Sequence, residues 1–236
     1  MISWQEQKIQ SILNAESVPA LFKTLSDTAK HLGFDYCAYD MQLPWPITRP
    51  QKIMLNNYPA NWKQHYAQQE YVKIDPTITH GKRSTFPLVW PQNDFIANIS
   101  FWEDARTHGL HTGWAQSCYN ARGVGGLLNL SRSDDSISSK ELHETAWNLS
   151  WLVDVAHEGL SKLLIEKHVP EALTQLSVRE IDVLRWTADG KTSREISKIM
   201  GISDRTVNFH ISNTLKKFNT TNKTAAAAKA VMFSIL

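Results

Sequence analysis

Apolar residues at helical spacing open the chain, over Gln5–Leu13 and again over Val18–Leu32, where Leu21, Phe22, Leu25, Ala29 and Leu32 form one stripe and Gly33 supplies a stop. The period then changes. Phe34–Gln42 (FDYCAYDMQ) and Lys52–Asn56 read as strands, Ala60–Gln69 as a helix, Thr85–Trp90 as an extended segment, and Ile96–His108 as a helix stopped by Gly109. Gly113–Cys118 and Gly125–Ser131 have the continuous apolar character of strands buried on at least one face. Ser139–Leu164 then predicts a long helix striped by Leu142, Ala146, Leu149, Leu152, Val153 and Ala156. Short strands flanked by helices predict an α/β domain over residues 1–165, an α-β-α sandwich whose antiparallel-type sheet is covered on both faces, with room for a pocket. In residues 166–175, EKHVPEALTQ, the apolar pattern lapses and Pro170 disfavours helix at His168–Val169, which predicts a linker.

Residues 176–236 predict four helices. Ser177 and Glu180 have capping-box spacing, so a helix starts there; its inward face is read as Ile181, Leu184 and Ala188, and Gly190 ends it. A second helix, Thr192–Met200, turns Ile196 and Ile199 inward. Only Gly201 and Ile202 separate it from Ser203, the N-cap of a third helix, Asp204–Phe218, with Val207, Ile211 and Leu215 on one face. A fourth runs Lys223–Ser234. Two short helices joined by a tight glycine-containing turn fit a helix-turn-helix.

Charge sharpens this picture. The whole chain carries 25 Lys and Arg against 23 Asp and Glu, a formal charge of only +2, yet from Arg205 onward Arg205, Lys216, Lys217, Lys223 and Lys229 face no acidic residue at all. A basic module joined to a slightly acidic domain is the footprint of a nucleic-acid binder, although charge alone is equally consistent with a solvated face. With the third helix in a major groove, Thr206, Asn208, His210, Ser212 and Asn213 would meet base edges. Lys191, Thr192, Arg194, Arg205, Lys216, Lys217, Thr221 and Lys223 would sit on phosphates. Two distant cysteines, Cys37 and Cys118, suggest neither a disulfide framework nor a zinc site, and His108 and His111 lack accompanying ligands, so no metal or cofactor is expected. No secretory leader and no apolar run of membrane-spanning length is evident, which predicts a cytoplasmic protein without a membrane partner. No Ser/His/Asp or Cys/His nucleophile arrangement is identifiable, so no enzyme activity is expected.

The stretch LSVREIDVLRWTADGKTSREISKIMGISDRTVNFHISNTLKKF resembles the DNA-binding domain of LuxR-type transcription regulators, matching at Glu180, Leu184, Gly190, Ile196, Thr206, Val207, His210 and Lys217. That module occurs in regulators with different sensing domains. The first domain lacks the order of a phosphoacceptor receiver. Its segment NNYPANWKQHYAQQEYVKIDPTITHGKRSTFPLVWP is instead similar to the ligand-binding domain of acyl-homoserine-lactone receptors of that family, through Tyr58, Pro59, Trp62, Tyr66, Tyr71, Asp75, Pro76, Pro87 and Trp90. FWEDARTHGL, Gly113 and GGLLNLS continue the match.

What the resemblance implies suits the chemistry of such a ligand, which needs two donors, one acceptor and apolar walls. The Trp62 indole N–H would donate to the ring carbonyl and the Tyr58 hydroxyl to the acyl carbonyl, while Asp75 would accept from the amide N–H. Tyr66, Thr77, Trp90, Phe101, Trp102 and Ala105 would complete the pocket. Tyr58 and Trp62, four apart, are expected near one helical turn, facing one way. Asn129 departs from the family, which usually has Ser or Thr there to bond an acyl oxygen. Taken singly, each aromatic residue reads more readily as core than as a site, and Asp75 before Pro76 as a turn residue; their joint occurrence reverses this in favour of a site. The resemblance thus implies a quorum-sensing regulator that binds an N-acyl-homoserine lactone and, as a homodimer, double-stranded promoter DNA. The alternative is a ligand-independent DNA-binding transcription factor whose first domain only dimerises or holds a protein partner.

Overall fold

The computed structural model describes residues 4–43, 45–91, 99–121, 123–134 and 136–236. They divide into two compact units, one of residues 1–42, 52–120 and 125–163, the other of 43–51, 121–124 and 164–236. The second unit thus includes two short segments from the part of the chain read as the first domain.

The first unit is built on a five-stranded sheet of order β2-β1-β5-β4-β3, antiparallel throughout: β1 is Tyr36–Gln42, β2 Lys52–Asn56, β3 Leu88–Trp90, β4 Thr112–Tyr119 and β5 Gly125–Arg132. Residues on either side of a strand alternate between two apolar layers. On one face lie α1 (Trp4–Leu13), α2 (Val18–His31) and α6 (Ser139–His168). There the Tyr39 hydroxyl meets His157 Nδ1 at 2.7 Å. Gly126 permits that approach, since a Cβ there would collide with the His157 ring. On the other face lie α3 (Ala60–Gln68), α4 (Pro76–Gly81) and α5 (Ile99–Thr107), whose cluster of Trp62, Tyr71, Phe101, Trp102 and Ala105 packs on Leu88, Trp90, Ala115 and Leu127 of the strands. The sandwich with an antiparallel sheet matches the sequence expectation. The extended segment expected at Thr85–Trp90 is a strand only over Leu88–Trp90, and residues 96–98 of the helix expected from Ile96 lie outside the described residues.

The α6 helix runs to His168, so Glu166, Lys167 and His168 of the expected linker are helical. Pro170 blocks its continuation, and Pro170–Leu173 form a short 3-10 turn. The second unit then carries α7 (Val178–Ala188), α8 (Ser193–Met200), α9 (Asp204–Lys217) and α10 (Lys223–Met232). Ser177 and Thr192 each close a full capping box, with Glu180 and Glu195, and Ser203 and Asn222 cap the last two helices. Gly201 ends α8 at φ +65°, the left-handed conformation that lets α9 begin three residues later. Two readings are corrected here. Ala188 and Ile199 point outward, Ile199 at 47% exposure, while Val183 and Thr187 are buried. The inward stripe of α7 starts one residue earlier than expected, at Glu180, because that carboxylate is itself an interior group: it takes 2.7 Å bonds from Lys217 Nζ and from the Ser177 amide.

Candidate functional site

A cavity of about 230 Å³ lies between the α3–α5 layer and the sheet. Tyr58, Trp62, Tyr66, Asp75, Thr77, Trp90, Phe101, Trp102, Ala105 and Asn129, the whole expected set, line it. They converge from five elements. Trp62 and Tyr66 share a face of α3; Tyr58, however, precedes that helix, whose N-cap is Pro59, so its side chain is aimed by extended chain and not by a shared helical turn. Gly113 seats Trp90, because a Cβ there would collide with the indole and with the Leu130 carbonyl.

One connected network forms the polar wall. Asp75 caps α4 and is buried. Its Oδ1 accepts from the Thr77 amide at 2.8 Å and the Thr77 hydroxyl at 2.7 Å, and its Oδ2 from the Tyr66 hydroxyl at 2.9 Å. Asn129 Nδ2 donates to Thr77 Oγ1 at 2.7 Å, and Asn129 Oδ1 accepts from Trp90 Nε1 at 3.1 Å. Burial pushes the Asp75 carboxyl upward, and the hydrogen bonds from Thr77, Tyr66 and the Ile78 amide offset only part of that. A carboxylate has about four lone-pair positions, and the Thr77 amide and hydroxyl, the Tyr66 hydroxyl and the Ile78 amide take that many, so a ligand N–H would share an Asp75 oxygen with one of them or displace it. Burial also raises Tyr58 and Tyr66, which keeps both hydroxyls neutral donors.

Trp62 is held by its neighbours. Its ring lies 5.6 Å from Tyr66, 5.9 Å from Tyr71 and Phe101 and 5.4 Å from His108. Behind it Asp104 of α5 takes His65 Nε2 at 2.7 Å and the Tyr71 hydroxyl; these two hydrogen bonds, Tyr71 first, hold the Asp104 carboxyl below its usual range. That tie fixes α3 to α5 and so fixes the direction of the indole. The remaining lining residues include Asp40, Asn56, Met54 and Lys63, which were not read from the sequence. Met54 and Lys63 are exposed and mark the mouth, between β2 and α3. Among the described residues no group of three metal-ligating side chains occurs, and no helix is long and apolar enough to cross a membrane.

In the second unit, Val183, Ile196, Val207 and Ile211 pack α7, α8 and α9 into one cluster. That leaves an outer stripe on α9 of Arg205, Asn208, Phe209, Ser212 and Lys216, all exposed. None of the expected DNA-facing residues is buried. Four are engaged locally: Thr192 in its capping box, Thr206 with Ser203 Oγ at 2.8 Å, Lys217 with Glu180 and the Gln175 carbonyl, and Asn208 with Ser193. Lys217 therefore braces α9 against α7. Asn208 Oδ1 accepts from Ser193 Oγ at 2.9 Å, which turns its amide nitrogen outward as a donor. Phe209, 60% exposed, was missed; the signal was a large apolar residue one turn from Arg205 on an otherwise polar stripe.

Residues 17–160 match the autoinducer binding domain family, and residues 174–230 match the family of bacterial regulatory proteins described as luxR. Transcriptional activator protein AnoR of Acinetobacter nosocomialis is 44% identical, covering 100% of both chains. HTH-type quorum-sensing regulator RhlR of Pseudomonas aeruginosa is 35% identical over 97% of this chain and 93% of its own. Among solved structures, Escherichia coli SdiA in complex with octanoyl-rac-glycerol aligns with a TM-score of 0.81 at 33% identity, covering 98% of this chain and 94% of SdiA.

Proposed function

From the premise that this chain belongs to the luxR family of bacterial regulatory proteins, as a quorum-sensing transcription regulator with an autoinducer-binding domain and a DNA-binding domain, we propose that its autoinducer is an N-acyl-homoserine lactone. Residues 1–165 form the lactone-binding and dimerisation domain, 166–175 the connection, and 176–236 the DNA-binding domain of a cytoplasmic homodimer. The supporting observation is the convergence of two neutral donors and one buried acceptor, Tyr58, Trp62 and Asp75, on a single aromatic cavity. A lactone head group presents the complementary set: the ring carbonyl for Trp62, the acyl carbonyl for Tyr58 and the amide N–H for Asp75. The tail would lie on Phe101, Trp102 and Ala105. Trp62→Phe keeps the apolar bulk and deletes one N–H. It is expected to cost about 1–3 kcal/mol of lactone affinity and most lactone-dependent DNA binding at limiting ligand, with folding intact. Retention of the full lactone-induced thermal shift would remove the Trp62 N–H from lactone recognition, whereas a wild type with no such shift would favour the ligand-independent reading.

One recognition helix reads too few bases for specificity, so two-fold symmetry is needed. On α6, Trp147 is 86% exposed, with half-buried Trp151 one turn on, an apolar stripe suited to a second copy. Trp147→Glu is expected to shift sedimentation from dimer toward monomer. On the DNA side, Asn208 offers its amide to a base edge and Phe209 can pack on a thymine methyl, while Arg205, Lys216, Lys191, Arg194, Thr221 and Lys223 supply phosphate contacts. Arg205→Ala should weaken binding to all sequences and lower the slope of log affinity against log salt by about 1. Asn208→Ala should instead relax base preference at one position by about 1–3 kcal/mol, read by selection from a random duplex library.

A further inference from the structure

Trp62 has to hold one N–H, at the edge of a large ring, in a fixed direction. The last torsion of a tryptophan side chain is broad, so its own rotamer preference does not set that direction and its neighbours must. Among the described residues five rings surround the indole, His65, Tyr66, Tyr71, Phe101 and His108, with centroids between 5.4 and 6.2 Å away. Two of them are anchored within the cavity wall, Tyr66 by Asp75 and Phe101 by its edge contact with Trp102 at 4.9 Å. The other three hang on one residue. Asp104 Oδ2 accepts from His65 Nε2 at 2.7 Å and from the Tyr71 hydroxyl, and the Asp104 carbonyl accepts from His108 Nδ1 at 2.7 Å. The His65 and His108 rings are in turn stacked on each other, 5.0 Å apart at 20°. None of Asp104, His65, Tyr71 and His108 lines the cavity, whereas Trp62 does. A molecule in the cavity therefore meets the indole and not the bracket behind it.

We propose that Asp104 is a positioning residue for head-group recognition, holding the bracket that aims the Trp62 N–H at the ring carbonyl of the lactone. The inference rests on the lactone reading above and adds to it a residue that never meets the ligand. One carboxylate oxygen serves two donors from separate elements, His65 on α3 and Tyr71 in the turn Tyr71–Lys73. Removing that atom frees both rings together, and the half-buried His65 can turn to water. The indole then keeps its apolar surroundings but gains freedom about its last torsion. A hydrogen bond weakens steeply as donor and acceptor leave the line, whereas apolar burial has no direction to lose. The cost falls on the contact to the ring carbonyl and spares the rest of the ligand.

The test compares two ligands with the same amide and acyl chain: an N-acyl-homoserine lactone and the matching N-acyl cyclopentylamide, whose ring has no carbonyl. Titration calorimetry on the purified full chain first finds which of the octanoyl, decanoyl and dodecanoyl chains binds most tightly. At that length wild type is expected to prefer the lactone by about 5- to 150-fold, the worth of one buried hydrogen bond. Asp104→Ala should weaken the lactone at least about fivefold and the cyclopentylamide less than about twofold. Asp104→Asn, which keeps one acceptor for two donors, should fall between wild type and alanine. In a Trp62→Phe background Asp104→Ala should cost the lactone less than about twofold, because the donor it positions is gone. Should Asp104→Ala fail to fold, Asp104→Asn and Tyr71→Phe carry the same comparison. Equal losses for both ligands, or an undiminished lactone loss in the Trp62→Phe background, overturn this inference alone and leave Asp104 a structural brace. A wild type that binds lactones no better than cyclopentylamides removes the ring-carbonyl contact at Trp62 and this inference with it. Failure of every lactone to bind wild type overturns the lactone reading as a whole.

Discussion

Asp75→Ala is expected to abolish most of the response to lactone at concentrations that only just saturate the wild type, and to lower the melting temperature of the unliganded protein as well. The carboxylate is the acceptor on which one wall of the cavity is hung. Without it the Thr77 amide, the Thr77 hydroxyl and the Tyr66 hydroxyl all lose their partner. Each buried donor left unpaired costs about 1–3 kcal/mol. Thr77 in turn receives Asn129, which receives Trp90, so the disturbance reaches β3 and β5 through side chains already in contact. The ligand amide would lose its acceptor too, about 1–3 kcal/mol more, or roughly 5- to 150-fold in affinity. Asp75→Asn separates the two losses. It retains one carbonyl oxygen for Thr77 and presents an amide N–H₂ toward Tyr66, so it should fold better than the alanine variant while still failing the ligand amide. An unchanged lactone-induced thermal shift in Asp75→Asn would remove Asp75 from the binding site.

The largest stability effect outside the cavity is expected at Lys229. This lysine of α10 is 1% exposed, and its ammonium donates to Glu171 Oε1 at 2.5 Å and to the Phe218 carbonyl at 3.0 Å. It sits beside the cluster of Leu184, Phe218, Ala226, Ala227 and Ala230 that joins α10 to α7. Lys229→Ala removes the only cation of the pair and leaves Glu171 charged in a partly buried place; a loss of about 3–5 kcal/mol is expected in the unfolding transition of the second unit, measured in the full chain with urea. Lys229→Met restores the apolar volume, and Lys229→Met with Glu171→Leu should recover much of the deficit, since a buried ion pair is replaceable by packed apolar groups. Acid adds a second readout. Burial alone would raise the Glu171 carboxyl, but Lys229 and a backbone amide outweigh it and hold the group below its usual range. A carboxyl depressed in the folded state contributes stability above its unfolded pKa of about 4.3 and loses that contribution as pH falls through the folded value. Wild type should therefore lose more stability than Lys229→Ala between about pH 6 and pH 3.

The same two places show where reading the chain succeeds and where it stops. Ser177 with Glu180 and Ser203 ahead of Asp204 place two helix starts from residues at most three positions apart, because a cap is a bond between a side chain and a nearby amide. The lining residues of the cavity were equally legible, since Tyr58 to Asp75 lie in one short stretch whose residue types the family resemblance supplied. Ala188 and Ile199 were misassigned because a short helix admits two neighbouring stripes; on α7 the choice between them depended on Glu180 having Lys217 as an interior partner 37 residues away.

Asp40 and Asn56 were missed for a related reason. A strand alternates between two faces, and FDYCAYDMQ is apolar enough on both that nothing local says whether Tyr39 or Asp40 faces the cavity. Local chemistry by itself determines the caps, the glycine stop at Gly201, the basic third helix and the residue types of a lactone site, all of them set by bonds and periodicities within a few positions. The row of Asn56, Ala38 and Asn129, the relay from Trp90 to Asp75 and the burial of Lys229 exist only once distant strands and helices are paired. Register across a sheet and desolvation inside a core are properties of the packed chain, and no short stretch of it contains them.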